Sequence, residues 1–341
     1  MKSFTISLKE NSYSIYIEDD ILLHLSFYIQ QVYTNKKIYI ITDDIVEKLY
    51  LNQVKDNLKE YEVNTVVVPH GEASKSIEIY TKVVEELLDK DIRRNELLLA
   101  LGGGVIGDLT GFVAATLYRG LPYVSIPTTL LSQMDSSIGG KTGIDFCERK
   151  NILGCFKQPK LVLIDPKTLA TLPKREWNNG MGELIKHAVI GNRALFETLL
   201  SKPSIDEEII YQSLSVKKRV VEQDEFDTKE RMLLNFGHTF GHAIELKLGV
   251  KHGEAVALGM LMVIQFGMNL NITSKECYDA LKQILTLYEL PNEEPNYKEY
   301  LLEISKDKKN LAGKIQLVLI DTIGNAFLYP IEEKSLKEMI S

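Results

Sequence analysis

A short apolar run that ends in a glycine-rich turn is the feature that most limits how this chain can fold. Residues 97–101 read Leu-Leu-Leu-Ala-Leu, and residues 102–108 continue Gly-Gly-Gly-Val-Ile-Gly-Asp. Such an apolar run is typical of a strand buried on both faces, and the turn matches the pattern G-x-G-x-x-G. Glycines allow a phosphate to approach the free N–H groups at the start of a helix. The sequence therefore predicts a buried strand, a phosphate-binding turn and a helix over residues 105–118.

The same turn lacks one part of the standard dinucleotide-binding motif. That motif places an acidic residue about twenty positions further on, where it binds a ribose hydroxyl. The window here begins Pro-Tyr-Val-Ser-Ile at residue 122 and holds no acid. Asp44, just after a predicted strand at residues 37–41, is well placed to supply the carboxylate instead. The alternative is a turn that serves packing alone.

Strand and helix patterns alternate in the first half of the chain, and helical patterns dominate the second half. This rhythm is typical of βαβ units, which form parallel sheets covered by helices. The sequence predicts an α/β fold: a Rossmann-like domain with a mostly parallel sheet over residues 1–165, then a mainly α-helical domain over residues 166–341. We expect the active site in the cleft between them. The predicted strands are 37–41, 64–68, 97–101 and 161–164 after an edge hairpin at 3–17, the helices are 44–60, 75–90, 105–118, 174–190, 205–223, 229–248, 252–272 and 274–289, and short strands return at 315–320 and 326–329.

Composition excludes several classes of protein. The chain has 341 residues, 45% of them hydrophobic and 26% charged, which is ordinary for a globular protein with room for two cores. Its net charge of −7 argues against a general nucleic-acid or anionic-membrane surface. The three cysteines are scattered, the first residues carry no signal-peptide pattern, and the longest apolar stretch, residues 255–266, is too short to span a bilayer. We expect a cytoplasmic protein that binds neither nucleic acid nor membranes.

Three histidines lie close together in the second half of the chain: His238, His242 and His252. The first two are spaced i, i+4, so on a helix their rings project from one face, and Gly249 lets the chain turn before the third. Clustered neutral imidazoles are common ligands of zinc or cobalt, and a catalytic site keeps one coordination position open. The pair lacks the glutamate of the His-Glu-x-x-His protease motif. The alternative is that one histidine caps or packs and the others are incidental, but the third histidine favours a metal site.

A polar segment follows the glycine-rich turn. Residues 127–143 are dense in hydroxyl groups and glycines and include Lys141, and the pair Lys150 and Asn151 comes soon after. Hydroxyl and glycine N–H groups suit phosphate oxygens, and a lysine adds a point charge. The segment is either a polar surface loop or, as its apolar flanks indicate, a phosphate-binding segment folded into the interior.

Further charged residues precede the histidines. Glu183 and Lys186 share one helical face, so Glu183 is either an oxygen ligand that joins two imidazoles or half of an ordinary helix ion pair. Lys217 and Arg231 flank the approach to the histidine helix. Taken singly, each is more often a solvated helix charge than a ligand contact.

These segments, in this order, resemble the 3-dehydroquinate synthases, which are sugar-phosphate cyclases. The resemblance covers about residues 35–330, and the blocks that carry it are residues 102–111, 127–143 and 180–186, Arg231-x3-Asn235-Phe-Gly-His238-x3-His242, and His252-Gly-Glu254-Ala. It implies an enzyme of the shikimate pathway, in aromatic amino acid biosynthesis, that converts 3-deoxy-arabino-heptulosonate 7-phosphate into 3-dehydroquinate and phosphate. In that reaction a metal-bound alcohol is oxidised by NAD+, phosphate is eliminated, the ketone is reduced again by the same NADH, and an aldol step closes the ring.

The resemblance also implies roles for individual residues. One divalent metal ion, Zn2+ or Co2+, is bound by Glu183, His238 and His252, and His242 is left facing the substrate. NAD is bound by Asp44, Glu72, Lys75, Gly103, Gly104, Val105, Ile106, Asp108, Thr128, Thr129, Lys141, Lys150, Thr168 and Leu172. The substrate phosphate is bound by Lys141, Asn151, His242 and Arg119, the carboxylate by Lys217 and Arg231, and the ring hydroxyls by Asp135, Lys186 and Asn235, with Lys308 as a further contact.

Two points of the resemblance concern particular arginines. Arg119 lies at the far end of the helix that begins at the glycine-rich turn, on the order of 20 Å from it. The resemblance implies that Arg119 reaches the substrate phosphate of a neighbouring subunit, in a homodimer. Arg149 replaces the glycine that the family usually has before its Lys-Asn pair, which puts the geometry beside the predicted phosphate segment in question.

Three other functions compete with this interpretation. Another cyclase, such as a 2-deoxy-scyllo-inosose synthase, would use the same chemistry on glucose 6-phosphate, which has no carboxylate for Lys217 and Arg231 to bind. A metal- and NAD-dependent polyol-phosphate dehydrogenase would share the glycine-rich turn and the histidines but would release NADH. A non-catalytic NAD-binding protein would have no use for so many retained site residues.

Overall fold

The structure, a computed structural model, describes residues 1–293, 300 and 314–332. The chain divides into two compact units. The first contains Met1–Leu172 and Ile205–Tyr211, and the second contains Pro173–Ser204 and Gln212–Ser341. The division thus follows Leu172, somewhat after the predicted boundary at residue 165.

A seven-stranded sheet forms the centre of the first unit. Its pairs are parallel except at one edge, where the first two strands form the predicted antiparallel hairpin. The predicted α/β class with a mostly parallel sheet is therefore confirmed. In spatial order the strands are β1 (Lys2–Ile6), β2 (Tyr13–Ile17), β9 (Leu161–Ile164), β6 (Tyr123–Pro127), β5 (Leu97–Gly102), β3 (Lys37–Asp43) and β4 (Glu62–Val68).

Alternate residues of each central strand supply two separate apolar cores. In β3, Ile38 and Ile40 pack on one face of the sheet, and Tyr39 and Ile41 pack on the other. Because both faces are buried, the strand reads as a continuous apolar run. The first core includes residues of α1 (Leu25–Ile29) and α2 (Asn52–Asp56), and the second includes residues of α3 (Ile77–Asp89) and α4 (Gly104–Thr116). With both faces covered, the strand ends are left for ligands.

The predicted helix 44–60 is wrong in its first part. The carboxylate of Asp43 accepts hydrogen bonds from the backbone N–H groups of Ile45 and Val46, so the chain makes a turn there. A π-helical segment at Glu47–Leu51 then leads into the short α2. An Asp that bonds to its own following backbone competes with helix formation, which the apolar periodicity alone does not reveal.

The other two predicted helices of this unit are confirmed with shifted ends. α3 begins at Ile77 because the hydroxyl of Ser76 caps it, accepting from Ile79 N. α4 ends at Thr116, and a 3-10 turn at Leu117–Arg119 follows, in which Tyr118 and Arg119 have positive φ.

Three strands of the first unit are absent from the sequence-based prediction. These are β6 and the separate hairpin of β7 (Lys141–Phe146) and β8 (Arg149–Phe156). The hairpin turns at Cys147 and Glu148, both with positive φ, where no glycine or asparagine marks the turn. The polar residues of β8 concealed its strand character, since most of its side chains are exposed.

The second unit is mainly helical, as predicted. Within the described residues its helices agree with the predicted ones to within a few positions, with two exceptions: residues 229–248 do not form one helix, and the short helix Arg193–Leu199 was not predicted. The elements are α5 (Lys174–Gly191), α6 (Arg193–Leu199), α7 (Glu207–Gln223, of which the first residues belong to the first unit), α8 (His238–Leu248), α9 (His252–Asn269), α10 (Lys275–Leu287) and the antiparallel pair β10 (Lys314–Thr322) and β11 (Asn325–Glu332). None of the helices in the described part of the chain is long and apolar enough to cross a membrane.

Candidate active site

The break in the predicted helix 229–248 sets the position of His238. A 3-10 helix at Glu230–Asn235 ends before Gly237, whose φ is +78°, and α8 starts at the next residue. A side chain at Gly237 would be strained and would overlap α9, since an added Cβ would lie 2.9 Å from the carbonyl oxygen of Val256. His238 is therefore the first residue of α8, supported against α9.

Two glycines allow His252 to lie close to the buried carboxylate of Glu183. Gly182 of α5 faces Gly253 of α9, and a methyl group on either would overlap the backbone of the facing helix. The side-chain oxygen of Asn179 accepts the Gly253 N–H at 2.8 Å, which satisfies one of the free N–H groups at the start of α9. Glu183 and His252, the neighbours of these glycines, are thereby held close together.

The resulting geometry matches a metal site. Nε2 of His238 lies 3.5 Å, and Nε2 of His252 lies 3.4 Å, from Oε1 of Glu183, which is fully buried. Nδ1 of His238 faces the carbonyl oxygen of Phe236 at 3.2 Å, and Nδ1 of His252 faces Oε2 of Glu245 at 3.4 Å. The donor atoms of Glu183 and the two imidazoles all lie within 4.8 Å of one another. One carboxylate and two imidazoles suit Zn2+ or Co2+ with room for a further ligand.

The two imidazoles differ in their electrostatic surroundings. Burial, assisted by the nearby cation of Lys186, lowers the pKa of His238 to about 3, so this ring is neutral and able to act as a ligand. Burial also lowers the pKa of His252, but the carboxylates of Glu183 and Glu245 outweigh it and raise that pKa to about 9. Both carboxylates thus favour positive charge at His252, and a dication at the site would take the place of the proton.

His242 lies beside this group but outside it. Its ring centroid is 5.5 Å from that of His238 and 6.2 Å from that of His252, and the residue is exposed. Its nitrogens are not among the donors that cluster with Glu183. The geometry thus favours a site of two histidines and Glu183 over a site of three histidines, and leaves His242 for another role.

Three cationic side chains of the second unit are buried. Lys186 and Lys217 are 2% and 5% exposed, and Arg231 is 3% exposed. The interpretation of Lys217 and Arg231 as solvated helix charges is therefore wrong, since buried charges are costly unless another group compensates them. Lys186 pairs with Glu183 one helical turn away, as its spacing predicts. Asn235, by contrast, is exposed.

A single carboxylate organises the loop that carries Arg231. Asp224 is buried and accepts hydrogen bonds from the backbone N–H groups of Thr228, Lys229 and Arg231 at 3.0, 2.6 and 3.2 Å. Burial opposes its charge, but these bonds prevail and lower the pKa of Asp224 below its ordinary value. The guanidinium of Arg231 donates to the carbonyl oxygen of Glu225 at 2.8 Å. The loop is thus wound around Asp224.

In the first unit, most of the residues predicted to bind NAD follow the carboxyl ends of strands in the parallel sheet. In the sheet, β4 lies on one side of β3. The next strand in the chain, β5, lies on the other side of β3, and β6 and β9 follow beyond it. The ends of β3 and β5 thus flank the point where strand order reverses, which is where open α/β sheets bind ligands. Asp44 follows β3, and Gly103 and Gly104 follow β5. Val105, Ile106 and Asp108 lie in the first turns of α4, Thr128 and Thr129 follow β6, and Thr168 and Leu172 follow β9.

Asp44 is ionised, so its carboxylate can accept a hydrogen bond from a hydroxyl group. Its Oδ1 accepts from the backbone N–H of His70 at 2.7 Å and lies 3.0 Å from Nδ1 of the same residue. These contacts lower the pKa of Asp44, so it is a carboxylate at neutral pH. An ionised carboxylate thus follows β3, as the sequence predicts, although the acid of the standard motif is missing.

Lys75 links Asp108, which is predicted to bind NAD, to Asn151, which is predicted to bind the substrate phosphate. The buried ammonium of Lys75 donates to Oδ2 of Asp108 at 2.6 Å and to the side-chain oxygen of Asn151. Asp145 closes the ring, because its N–H donates to the Lys75 carbonyl and its carboxylate accepts the Asn151 N–H, both at 2.7 Å. Glu72 lies 3.8 Å from the same ammonium.

The other predicted site residues of the first unit vary in exposure. Asp135 lies on a π-helical segment, Ser132–Ser136, and is half-buried. Lys141, Lys150 and Arg119 are exposed. Lys308 lies outside the described residues.

Arg149 itself has an ordinary backbone conformation. It is the first residue of β8, pairs with Phe146 and has no positive φ, whereas Asn151 does, at +53°. The arginine in place of the family's usual glycine is therefore accommodated on an exposed strand.

Sequence reasoning missed four residues that position the others: Asn179, Glu245, Asp224 and Asp145. Each acts by a hydrogen bond to a backbone group or ring nitrogen of another site residue. Only Glu245 had a signal that could have found it. It lies seven residues after His238, so it returns to nearly the same face of α8 two turns on.

Comparison with known proteins identifies the family. A family model described as 3-dehydroquinate synthase N-terminal matches residues 65–179, and one described as 3-dehydroquinate synthase C-terminal matches residues 180–310. The 3-dehydroquinate synthase of Clostridium botulinum (strain Alaska E43 / Type E3) is 44% identical over 341 residues, which cover 96% of this chain and 97% of the relative. The chain belongs to the 3-dehydroquinate synthase family. The prediction of this family and of its activity on the heptulosonate phosphate is confirmed.

Solved structures with the same fold include other sugar-phosphate cyclases. A 2-epi-5-epi-valiolone synthase from Streptomyces hygroscopicus subsp. jinggangensis 5008, solved with NAD+ and Zn2+ bound, has a TM-score of 0.86 and 27% identity, covering 97% of this chain and 96% of that one. A 2-deoxy-scyllo-inosose synthase has a TM-score of 0.87 at 23% identity, with 99% of each chain covered. The 3-dehydroquinate synthase family thus shares its fold with cyclases of other substrates.

Proposed function

We propose that this member of the family works with NAD and one divalent metal ion, Zn2+ or Co2+, bound by Glu183, His238 and His252. The proposal rests above all on one observation: a fully buried carboxylate faces the Nε2 atoms of two imidazoles at 3.5 and 3.4 Å. The related valiolone synthase, solved with NAD+ and Zn2+, supports the same pair of cofactors. When bound, the ion supplies Lewis-acid polarisation of a substrate hydroxyl, and NAD supplies a transient hydride acceptor.

In the second unit, the proposed roles follow from charge and burial. Lys217 and Arg231 bind the substrate carboxylate, because buried cations at fixed positions are suited to hold a small anion. Lys186 and Asn235 bind ring hydroxyls. His242, exposed beside the metal ligands and not one of them, binds the phosphate and transfers a proton.

In the first unit, the carboxyl edge of the sheet binds NAD. Asp44 takes the ribose hydroxyl, the start of α4 takes the pyrophosphate, and Lys75 holds Asp108 in place. Lys141 and Asn151 serve the substrate phosphate, and Asp135 a ring hydroxyl.

The substrate and the fate of NADH separate this function from its competitors. A cyclase of glucose 6-phosphate would act on a substrate that has no carboxylate for Lys217 and Arg231 to bind. A polyol-phosphate dehydrogenase would form one NADH for each substrate oxidised. The family assignment favours neither.

We further propose a cytoplasmic homodimer. Its three cysteines are all free, which fits a reducing compartment. Phe146, Ile152 and Phe156 of the hairpin of β7 and β8 are exposed, and so is Tyr118, the neighbour of the predicted subunit contact Arg119. These exposed large apolar side chains are the ones that a subunit contact would cover.

The decisive experiment follows the products. The purified chain, loaded with Zn2+ and substoichiometric NAD+, is given 3-deoxy-arabino-heptulosonate 7-phosphate or glucose 6-phosphate. We expect 3-dehydroquinate and phosphate from the first only, over many turnovers and without accumulation of NADH. Formation of NADH up to the amount of NAD+ supplied, without release of phosphate, would contradict the proposal and favour a dehydrogenase, and turnover of glucose 6-phosphate would favour the other cyclase.

A further inference from the structure

Each imidazole that faces Glu183 is held from behind by an oxygen atom. His238 uses the carbonyl oxygen of Phe236, and His252 uses the carboxylate of Glu245. Both kinds of oxygen only accept hydrogen bonds, so when Nε2 of each neutral ring binds a metal ion, the ring proton sits on Nδ1 and is donated to that oxygen. The Nε2 lone pairs are then directed to the side where Glu183 lies.

The two supports differ in kind. Phe236 is two residues from His238 in the chain, so the local backbone fixes its carbonyl oxygen. Glu245 is a side chain of α8, whereas His252 is the first residue of α9, so this contact joins two helices. Glu245 is 17% exposed and, being charged, places a negative charge behind the imidazole. Carboxylates in this position orient a ligating histidine and make it more basic.

We propose that Glu245 is a positioning residue of the metal site, which fixes the tautomer and ring orientation of His252 and strengthens that imidazole as a ligand for a divalent transition-metal ion. The inference rests on the proposed metal site and adds a residue outside the ligand set. Glu245 acts through His252. Its role is therefore measured first as metal affinity, and only then as turnover.

The test compares Glu245→Ala and Glu245→Gln in the full chain. After removal of bound metal, the affinity for Zn2+ is measured by competition with a chromophoric chelator, and the Co2+ form is examined by visible absorption. We expect Glu245→Ala to bind zinc about 10- to 100-fold more weakly and to alter the Co2+ spectrum. Glu245→Gln keeps an oxygen acceptor of the same length, so it should lose less affinity than Glu245→Ala.

Glu176→Gln is the matched control for charge. Glu176 pairs with Lys251, the residue before His252, at 3.0 Å and makes no contact with an imidazole that the structure records. If its affinity falls as far as that of Glu245→Ala, the effect is general electrostatics and the inference is wrong. Unchanged affinity and spectrum in Glu245→Ala would overturn it as well. Thermal unfolding of the metal-free variants shows whether each of them is folded. If Glu245→Ala fails to fold, Glu245→Gln, which keeps the side-chain volume, tests the inference instead.

His252→Ala separates this inference from the proposed site itself. If His252→Ala still binds one zinc per chain at wild-type affinity, the metal site is wrongly assigned. If His252→Ala loses zinc while Glu245→Ala retains it at wild-type affinity, the site stands and only the role of Glu245 fails.

Discussion

Gly182 and Gly253 meet backbone to backbone, and this contact joins the helix that carries Glu183 to the helix that begins with His252. Either glycine, given a methyl group, would overlap the main chain of the other helix. The Gly253 N–H is bound by Asn179 in the same place. Because neither glycine has a side chain, the two helices approach closely enough to bring the Glu183 carboxylate near the His252 imidazole.

The first prediction follows directly. Gly182→Ala should force α5 and α9 apart, because backbone atoms move less readily than side chains. We expect the free energy of unfolding to fall by about 1–3 kcal/mol or more, and tight metal binding to be lost. Denaturant unfolding and metal content per chain measure the two effects.

Gly107→Ala is the control for that variant. Gly107 lies in α4, and an added methyl group would meet nothing within 4 Å. Its stability should stay the same or rise by roughly 0.5–1 kcal/mol, because alanine is the better helix former. If Gly182→Ala behaves like Gly107→Ala, the close contact is not what holds the site.

The second prediction distinguishes the ligands from the neighbouring histidine. A chelator should abolish turnover, and Zn2+ or Co2+ should restore it. His252→Ala should lose tight metal binding while it remains folded, because its side chain is 32% exposed and contributes little to the core. His242→Ala should keep the metal and lose roughly 10²–10⁴-fold in kcat. Metal analysis beside kinetics decides, and a His242→Ala variant without metal would revive the site of three histidines.

The third prediction concerns pH and Asp224. Its pKa is lowered in the folded protein, so its carboxylate stabilises the fold at pH values above the ordinary Asp pKa of 3.8, and the contribution is lost as the pH falls through the lower, folded value. Asp224→Asn removes an acceptor from several backbone N–H groups and should cost about 1–3 kcal/mol near pH 7. The difference in unfolding free energy between wild type and variant should be constant from pH 5 to 8 and shrink below about pH 4.

Glu225→Gln supplies the control for Asp224. It removes a charge at the next position, while the carbonyl oxygen that Arg231 uses remains. A difference from wild type that is equally large in Glu225→Gln would mean that net charge, and not the hydrogen-bonded loop, explains the acid dependence.

Much of the fold could be predicted from the sequence because its signals are periodic. The runs at β3 and β5 are apolar on both faces, and each of α5, α7, α9 and α10 has a continuous helical pattern. The strand β8, which escaped prediction, lacks such a pattern. β8 is mostly exposed, and the turn before it uses Cys147 and Glu148 at positive φ, where glycine or asparagine is the usual signal.

The residues of the candidate site also differ in how well the sequence predicts them. His238 and His252 are found by residue type and spacing. For Glu183 the residues alone leave a metal ligand and an ion-pair partner as alternatives, and the resemblance to a family favours the ligand. The spacing of Glu183 and Lys186 predicts their ion pair correctly, but not that both are buried. The supporting residues are unpredictable, because Asn179 and Asp224 act on backbone groups whose positions depend on the packing of other helices.

The last prediction concerns Arg119, which lies beyond the end of α4, exposed and at a φ of +64°. α4 has 13 residues and thus separates Arg119 from Gly104 by roughly 20 Å. The alternative role is an arginine that compensates the dipole at the end of a helix, worth about 0.3–1 kcal/mol. In that case Arg119→Ala should leave kcat and KM unchanged.

If Arg119 instead serves the partner's site in the proposed homodimer, two inactive variants should complement each other. In a mixed dimer of Arg119→Ala and His252→Ala subunits, one site carries both lesions and the other carries neither, so up to half of the wild-type sites return. Activity is measured after mixing under conditions of subunit exchange, which differently tagged subunits verify by co-purification. Mixing either variant with itself is the control. Verified exchange without recovered activity, or full activity of Arg119→Ala alone, would show that Arg119 does not act across subunits.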